Sequence, residues 1–405
     1  MVLFGVSAQS VTLVGFALGG IILGTISGLT PGLHANNFAL LLVSVAPMLP
    51  GPPLAIGAAM LAAGVVHTFL DVVPALALGV PDADMAATAL PGHRLVLDGR
   101  GRETIRLSAM GSGLAVLLAL PLAVPVTYAM TAAYPTIRAN LAVVLGGVVV
   151  MLLASERTLE AALGGSLAFL ASTAIGWLTL DLSPAAPLGE GSMLTPLFAG
   201  LFGAPVLLAA ADGGVPPQAD AAVRLARWRV VASAIGGTVA GAIVGYLPGV
   251  SSAVAAVAVL AAMPTAEARG FVVVTSGVNT ANTVFALFAL VTLGTPRTGV
   301  LVAIDQAGVP IDLPVLLGTV LLAAAAGAYL VPTVGDRYLA IAGRIDYRVL
   351  SRGLLVGLAG LSFLFAGTIG VVVFAVCGII GSIPPKFGAK RAHCMGVLLG
   401  PLILG

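Results

Sequence analysis

The chain has 405 residues, of which 59% are hydrophobic and 8% are charged, and its mean hydropathy is +1.12. Soluble domains carry roughly 25% charged residues, so this composition excludes an ordinary soluble domain and indicates long apolar runs that lie in lipid. The formal net charge of +2, without a basic tract that contains aromatic residues, argues against nucleic acid as a partner.

Apolar segments follow one another along the whole chain. They are predicted near 11–47, 54–80, 107–131, 139–154, 159–180, 194–211, 230–263, 270–294, 313–334, 351–366, 367–383 and 392–405. The last segment is short for a full span, and shorter apolar pieces after Pro81 and Pro296 are candidates for broken elements. The sequence therefore predicts an all-α polytopic membrane protein with roughly 10–12 membrane segments.

Two of these segments contain the same pattern, G-x-x-x-G-x-x-P-G. The pattern ends at Pro31-Gly32 and again, 217 positions later, at Pro248-Gly249. A Pro-Gly pair breaks a helix, and at membrane depth such a break is tolerated only inside protein or beside an aqueous cavity. Matching breaks in two halves of a chain are typical of secondary transporters whose site lies between two repeats. We therefore expect two repeats, each with a Pro-Gly-broken helix.

The basic residues of the loops predict the orientation. Arginines cluster in loops 92–106, 212–229 and 335–352, and a fourth basic cluster lies at 386–391. By the positive-inside rule these loops are cytoplasmic, and the N-terminus then lies outside the plasma membrane. Corresponding points of the two Pro-Gly halves fall on opposite sides, which predicts two inverted-topology repeats. The predicted division is a first repeat core over 1–106, connecting helices over 107–229, a second repeat core over 230–334 and C-terminal helices over 335–405.

Polar side chains follow both breaks, and we take them as candidate substrate-binding residues together with the Pro-Gly pairs. They are His34, Asn36 and Asn37 after the first break, and Ser251 and Ser252 after the second. A helix that restarts offers unpaired N–H groups and the positive end of its dipole, which suits an anion. Two such helix ends that face each other are predicted to bind one anion between them. The alternative is that these side chains only cap the breaks.

The segment after the first break contains His67 and Asp71, one helical turn apart. Because an ionisable residue within a span is costly, it indicates a functional site. Asp71, together with His67, is the candidate for the coupling-ion site, with Na⁺ or H⁺ as the ion. The alternative is a structural pair of these two side chains.

The segment after the second break contains Asn279 and Asn282, three positions apart, among several threonine and serine residues. Their oxygens are candidate ligands for a substrate or a cation, although interhelical hydrogen bonds are the alternative. The segment ends in Gly294-x-Pro296, which aligns with Gly79-x-Pro81 and places His67 opposite Asn282. Thr295, within this turn, completes the candidate substrate-binding set.

Two arginines that each follow a proline lie at opposite ends of the predicted spans. Arg297 comes directly after Pro296, and Arg94 comes soon after Pro91. Each is a candidate to attract an anion, or to reach the lipid headgroups with its charged end.

The sequence argues against catalysis and against a metal centre. Cys377 and Cys394 lack the spacing of metal ligands, and nucleophile triads and phosphate loops are absent from the sequence. We therefore expect no cofactor apart from a coupling ion. A membrane enzyme acting on lipid-linked phosphate would depend on His67 with Asp71, or on His93 with Asp98. A structural scaffold would not need two interrupted helices.

Several motifs, in order along the chain, resemble the large membrane permease subunit of tripartite tricarboxylate transporters, in its archaeal-type stand-alone branch. The first is Gly28-Leu-Thr-Pro-Gly-Leu-His-Ala-Asn-Asn37, and the second runs from Gly79-Val-Pro81 through the Ala-Ala-Thr-Ala stretch at 86–89 to Gly99-Arg-Gly101. Asn279-Thr-Ala-Asn282, the turn at 291–296 and the C-terminal stretch 384–401 are similar to the same branch.

This resemblance implies a secondary transporter of organic anions that is driven by an ion gradient. It also implies two partners, a small membrane subunit and an extracytoplasmic solute-binding protein, and a homo-oligomer remains open. The motif Pro248-Gly-Val-Ser251 also resembles polyprenyl-phosphate transporters. A lipid-linked phosphate is therefore the alternative substrate, and it would require an opening of the site toward the membrane lipid.

Overall fold

The computed structural model of the protein describes residues 7–31, 33, 35–79, 89–187, 189–209, 215–247, 252, 255, 256, 259 and 268–405. Nearly all regular structure in these ranges is helical. The helices are α1 Ala8–Leu29, α2 Ala35–Val45, α3 Pro53–Leu70, α4 Val72–Leu78, α5 Ala89–Leu97, α6 Gly101–Ala139, α7 Leu141–Ala154, α8 Leu159–Thr179, α9 Leu194–Phe198, α10 Ala204–Ala209, α11 Arg227–Tyr246, α12 Ala268–Leu293, α13 Gly299–Gln306, α14 Leu313–Ala342, α15 Tyr347–Gly381, α16 Ile383–Lys386 and α17 Gly396–Leu404. A two-residue hairpin pairs β1 Ala185–Ala186 with β2 Gly189–Glu190.

Eight helices in the described ranges are long and apolar enough to cross a membrane. Three further apolar helices are shorter, at Leu141–Ala154, Leu194–Leu208 and Arg391–Leu404. The protein is therefore helical and polytopic, as the sequence predicts. The span Pro53–Leu78, made of α3 and α4, and the span Ala268–Leu293, which is α12, are both 26 residues long and are the most deeply buried. These two spans form the centre of the molecule.

Two helices differ from the predicted segments. A loop over 92–106 is predicted, but α5 ends at Leu97 and α6 begins at Gly101, so the connection is short. The 39 residues of α6 correspond to about 58 Å of helix, which exceeds the roughly 30 Å of membrane hydrocarbon. This helix continues through Pro121, Pro125 and Pro135, where the sequence predicts a break after 131.

The last long helix, α15, is bent at Gly367, where the sequence predicts the boundary between two segments. Gly367 has φ 61° and ψ −156°, which lie outside the helical region and favour glycine. Gly370 packs against the Ser362 carbonyl, although eight residues of straight helix would separate them by about 12 Å. Strand β1 packs against this bend, because the Ala185 carbonyl lies next to Gly367. The chain therefore turns back sharply at this position.

The direction of the central spans follows from their contacts. Ser108, near the start of α6, is hydrogen-bonded to Ser276 of α12 with 2.8 Å between the hydroxyl oxygens. Tyr134, near the end of α6, accepts a hydrogen bond from Arg297, which follows the end of α12. These two helices therefore run in the same direction.

Helix α14 runs opposite to α6. Arg106, near the start of α6, donates two hydrogen bonds to Asp336 in the last third of α14, at 2.5 and 2.6 Å. Gly101, at the very start of α6, lies against Leu339, still nearer to the end of α14. The beginning of one helix therefore meets the end of the other.

The span made of α3 and α4 runs in the same direction as α14. Gly57, near the start of α3, lies against Val309, just before α14, and Phe69, near its end, lies against Gly327 in the middle of α14. Since α12 runs with α6 and α6 runs against α14, the two buried 26-residue spans point in opposite directions.

One end of the bundle carries a network of charges. Glu103 of α6 is fully buried, and its carboxylate accepts hydrogen bonds from the guanidinium groups of Arg100 and Arg269 and from the backbone N–H of Arg224. Together with the pair of Arg106 and Asp336, these bonds bring residues from the three loop regions 92–106, 212–229 and 335–352 to the same end. A buried carboxylate is stable only with such partners, so this end is firmly joined.

Candidate functional site

Three glycines of α1 let it approach the first buried span closely. Gly20, Gly24 and Gly28 lie against the backbone of α3, where a methyl group on either of the first two would overlap the carbonyl groups of Ala59 and Ala63. Gly28 lies against the Leu70 side chain and the His67 carbonyl. Small residues at four-residue intervals allow membrane helices to pack backbone to backbone. They fix the height of His67 relative to the break at Pro31.

The helix pair of α11 and α12 is built in the same way. Gly237, Gly241 and Gly245 of α11 lie against the carbonyls of Val274, Val278 and Asn282. Each of these glycines is 217 positions from its counterpart in α1, and each carbonyl is 215 positions from its counterpart in α3. The contact of Gly28 with His67 thus corresponds to the contact of Gly245 with Asn282.

The ends of the paired helices also match. Thr30 follows α1 with φ −83° and ψ 111°, and Leu247 follows α11 with φ −90° and ψ 124°, so both chains leave the helix in an extended conformation. The two buried spans end at Gly79 and Gly294, with φ of 69° and 63°. Glycine adopts this left-handed conformation without steric cost, which lets each span stop at the same point.

Several predicted site residues lie outside the described residues. Pro31 lies in a turn after α1, but Gly32, His34, Pro248, Gly249 and Ser251 belong to the undescribed positions. Asn36 and Asn37 lie in the first turn of α2, and their side chains are likewise outside the description. Their roles remain predictions.

His67 is buried in α3 and faces α1 and α2. Its Nδ1 atom is hydrogen-bonded to the hydroxyl of Ser27 over 2.9 Å, and its ring stacks on Phe38 of α2 with 5.8 Å between the ring centres. The imidazole therefore lies between α1, just before the first break, and α2, just after it. Ser27 and Phe38 were not among the predicted site residues, and only their position beside the break could have indicated them.

Asp71 lies at the joint between α3 and α4. Pro74 lacks the N–H that would bond to the Leu70 carbonyl, and its ring crowds that carbonyl, so α3 ends there. The Asp71 side chain is 3% exposed, and its Oδ2 atom accepts a 2.6 Å hydrogen bond from Nδ2 of Asn279 on α12. A carboxylate of the first buried span and an amide of the second therefore meet at the centre of the bundle.

The polar residues of α12 divide into two groups. Ser276 bonds to Ser108 and Ser112 of α6, which is the interhelical role that the sequence left open. Near Asn279, the side-chain oxygens of Thr280 and Asn282 are buried and have no hydrogen-bond partner within the described part of the chain, and the same holds for Ser252 after the second break. Each unsatisfied buried group costs about 1–3 kcal/mol, so these three oxygens are candidates for contact with a ligand.

Two predicted residues have other surroundings. Thr295 is exposed and donates to the Leu293 carbonyl within its own turn. His93, on α5 outside the spans, has its Nδ1 atom 2.7 Å from the Leu76 carbonyl, and burial lowers its pKa below the ordinary histidine value. Asp98 is exposed whereas His93 is buried, so the two side chains have different surroundings.

Comparisons with known proteins place the sequence in a transporter family. The family described as "Tripartite tricarboxylate transporter TctA family" matches residues 14–396 of the chain. An uncharacterized protein of Methanocaldococcus jannaschii, MJ1079, is 26% identical over 396 residues, which cover 95% of this chain and 96% of that protein. No solved structure matches the chain. The family match does not favour the polyprenyl-phosphate alternative.

Proposed function

The chain belongs to the tripartite tricarboxylate transporter TctA family, and we propose that it is the membrane permease that carries an organic anion, such as a di- or tricarboxylate, by secondary active transport. Membership of this family makes it a component of a tricarboxylate transport system, and we propose that it catalyses no reaction of its own. We propose below the transported anion, the driving ion and the site that binds them.

We propose that the two glycine-packed helix pairs are inverted repeats related by a pseudo-two-fold axis. The constant offsets of 217 and 215 positions support this, because one backbone template accounts for both pairs. The opposite directions of the two buried spans support the inversion, since a direct repeat would point them the same way. Inverted repeats place a transporter's site near the middle of the membrane, at the repeat interface.

The anion is proposed to bind between the two broken helices. Its ligands are the restarting backbone after Pro31-Gly32 and after Pro248-Gly249, with the side chains of His34, Asn36, Asn37, Ser251 and Ser252. The buried, unpartnered hydroxyls of Ser252 and Thr280 support this position, because Ser252 follows the second break and Thr280 belongs to the span that packs against α11. Asn282 would bind the anion through its Nδ2 donor, since its unpartnered Oδ1 atom is an acceptor. Hydroxyl and amide groups both bind carboxylate oxygens through their donor atoms.

The coupling ion is proposed to act at Asp71. Its carboxylate lies at a proline-induced joint of the first buried span and bonds to Asn279 of the second, and this contact is the single observation that carries the coupling mechanism. Binding of H⁺ or Na⁺ at the carboxylate would weaken its bond to the amide and free the two spans to move relative to each other. His67, one turn earlier, links the same span to the first break through Ser27.

The surroundings of the permease follow from the family and the charges. We propose a plasma-membrane protein with its N-terminus outside and its arginine-rich end in the cytoplasm. A small membrane subunit and a solute-binding protein are the proposed partners, as the name of a tripartite system implies.

The test is uptake of radiolabelled citrate into proteoliposomes under an imposed Na⁺ or H⁺ gradient. We expect gradient-driven uptake by the wild type, and its loss in the double variant Asn36→Ala/Asn37→Ala. Asn140→Ala, an exposed asparagine at the end of α6, is the matched control and should transport normally. Because ligands raise the melting temperature of the folded state, citrate and a short polyprenyl phosphate are compared by thermal shift. Stabilisation by the lipid phosphate alone would contradict the proposed substrate.

A further inference from the structure

A cavity opens beside the first broken helix, at the end of the bundle opposite the arginine network. Its volume is about 280 Å³, and it lies between α2 and α13, with Ala39 and Val43 on one side and Arg297, Thr298 and Gly299 on the other. Tyr134, which contacts Arg297, is separated from Glu103 by 31 residues of α6, or roughly 45 Å of helix. The cavity therefore lies a full membrane thickness away from Glu103.

Among the described residues that line this cavity, the charged group is the guanidinium of Arg297. Arg297 donates from Nη2 to the Tyr134 hydroxyl at 2.5 Å, and its charged carbon lies 5.3 Å from the centre of the Tyr134 ring. Its Nε atom is buried without a hydrogen-bond partner, and within the described residues its contacts are with this neutral ring rather than with a carboxylate. Tyr134 thus holds the side chain in place without neutralising it.

Further donors stand next to the guanidinium. The hydroxyl of Thr298 is buried without a partner, and as the residue before α13 it makes no side-chain cap. The N–H groups of the first turn of α13, at Gly299 and beyond, are left for another acceptor. An anion in the cavity would have three kinds of donor available, namely the guanidinium, the hydroxyl and the backbone N–H groups. The charge-assisted bond from the guanidinium would be the strongest of the three.

The cavity extends along α2 toward the start of that helix. Its wall reaches Ala39, which is four residues, or about 6 Å of helix, from Ala35 at the start of α2. The start of α2 is the position at which the proposed substrate site begins. The cavity therefore extends from the end of the bundle toward the first break, along one face of α2.

We infer that Arg297, Thr298 and the first turn of α13 form a second anion site, which receives a carboxylate-bearing anion on its way to the site between the broken helices. The ligand chemistry is that of a small carboxylate or phosphate. The identification of this anion with the transported one rests on the proposed function, whereas the site itself does not.

The test measures the reactivity of a cysteine placed in the cavity of the purified protein. The native Cys377 and Cys394 are 0% exposed, so Val43→Cys supplies the accessible thiol. We expect a negatively charged methanethiosulfonate to react about tenfold faster than a positively charged one, because a desolvated cleft of one sign concentrates opposite charge. Citrate should slow the reaction. Arg297→Gln should remove both effects, Arg297→Lys should retain the charge preference, and Ser7→Cys, exposed before α1, should show neither effect.

The outcomes separate the inference from the proposed function. Equal rates for the two reagents at Val43→Cys, or the same preference at Ser7→Cys, would overturn the anion site even if citrate were transported. A charge preference with citrate protection would support the site even if uptake failed. Protection by phosphatidylglycerol nanodiscs, but not by citrate in detergent, would assign the cavity to a lipid headgroup and overturn its role on the substrate path. If Arg297→Gln does not fold, the anion site is tested by citrate protection of the Val43→Cys protein alone. Protection would then support the site, and its absence would overturn it.

Discussion

The helix pair of α1 with α3 and the helix pair of α11 with α12 share a backbone but not a chemistry. In both, three glycines at four-residue intervals press one helix onto the carbonyls of the next. At the third contact, however, the first pair has His67, followed by Asp71, where the second has Asn282, followed by Ala286. The packing is duplicated, whereas at these two matched positions the ionisable groups belong to the first pair alone.

This difference separates two kinds of constraint on the same fold. Close backbone contact requires glycine in both pairs, because any side chain would occupy the space of a carbonyl. Charge is needed only once, since one carboxylate joined to Asn279 is enough to link the two spans, and a second buried charge would add a further desolvation cost. Four predictions test this comparison, beginning with the largest effect.

Gly24→Leu and Gly241→Leu should each prevent stable folding. Their side chains would meet the backbone of α3 or α12, which cannot yield as a side chain does, and overpacking of this kind costs upwards of about 3 kcal/mol. The measurement is the yield and melting temperature of the purified protein. Gly19→Leu, on the same helix with open space around it, should fold normally. A stable Gly241→Leu protein would mean that only the first pair depends on close packing.

Asp71→Asn should fold, because the amide is isosteric and can still bond to Asn279, but its transport should lose dependence on the ion gradient. We expect gradient-driven uptake to fall to the level measured without a gradient, because an ionisable residue inside a membrane span serves function. Asn282→Ala should instead weaken substrate affinity and leave coupling intact.

The measurement for this pair is citrate uptake with and without the gradient, at several citrate concentrations. Asp181→Asn, an exposed acid between α8 and the β-hairpin, serves as the control for loss of charge. Loss of coupling in Asn282→Ala would break the division of roles between the two pairs.

Gly79→Ala should destabilise the protein more than Gly294→Ala, although both glycines have a left-handed conformation. The strain of this conformation costs about 1–2 kcal/mol in either variant. At Gly79 the methyl group would also lie 2.9 Å from Val206 and 3.2 Å from His93, whereas open space surrounds Gly294. Melting temperatures of the two variants measure the difference. Equal losses of melting temperature would show that backbone strain, rather than the contacts with Val206 and His93, accounts for the destabilisation.

Ser27→Ala should have the smallest effect, a loss of about 1 kcal/mol, because it removes the hydroxyl partner of His67 Nδ1. Melting temperature measures the loss, and Ser10→Ala, exposed on the same helix, is the reference. Citrate affinity should fall as well if His67 positions the first break. An unchanged affinity would limit this hydrogen bond to a structural role.

Much of the fold can be predicted from the sequence because the signals are local. Glycine and proline act on their own backbone, so the patterns ending at Pro31 and Pro248 and the turns at Gly79 and Gly294 can be aligned without a structure. That alignment and the helix contacts give the same correspondence, with His67 opposite Asn282. The family was likewise identified from motifs, and the match over residues 14–396 confirms it.

Other features were not predictable in this way. The length of α6 was underestimated because its three prolines are tolerated within the helix, against their usual effect. In the sequence, Glu103 is one acid in a basic loop, yet in the structure it is the fully buried centre of the charge network. Its environment comes from Arg269, which is distant in sequence.

The sequence by itself determined the class of the protein and the family to which it belongs, because composition and short motifs act over a few residues. Only the tertiary structure decided which polar groups meet. The bond of Asp71 to Asn279 spans 208 positions and that of Arg297 to Tyr134 spans 163. Such pairs depend on the direction and height of packed helices, and helix packing is set by the whole set of contacts rather than by any one segment.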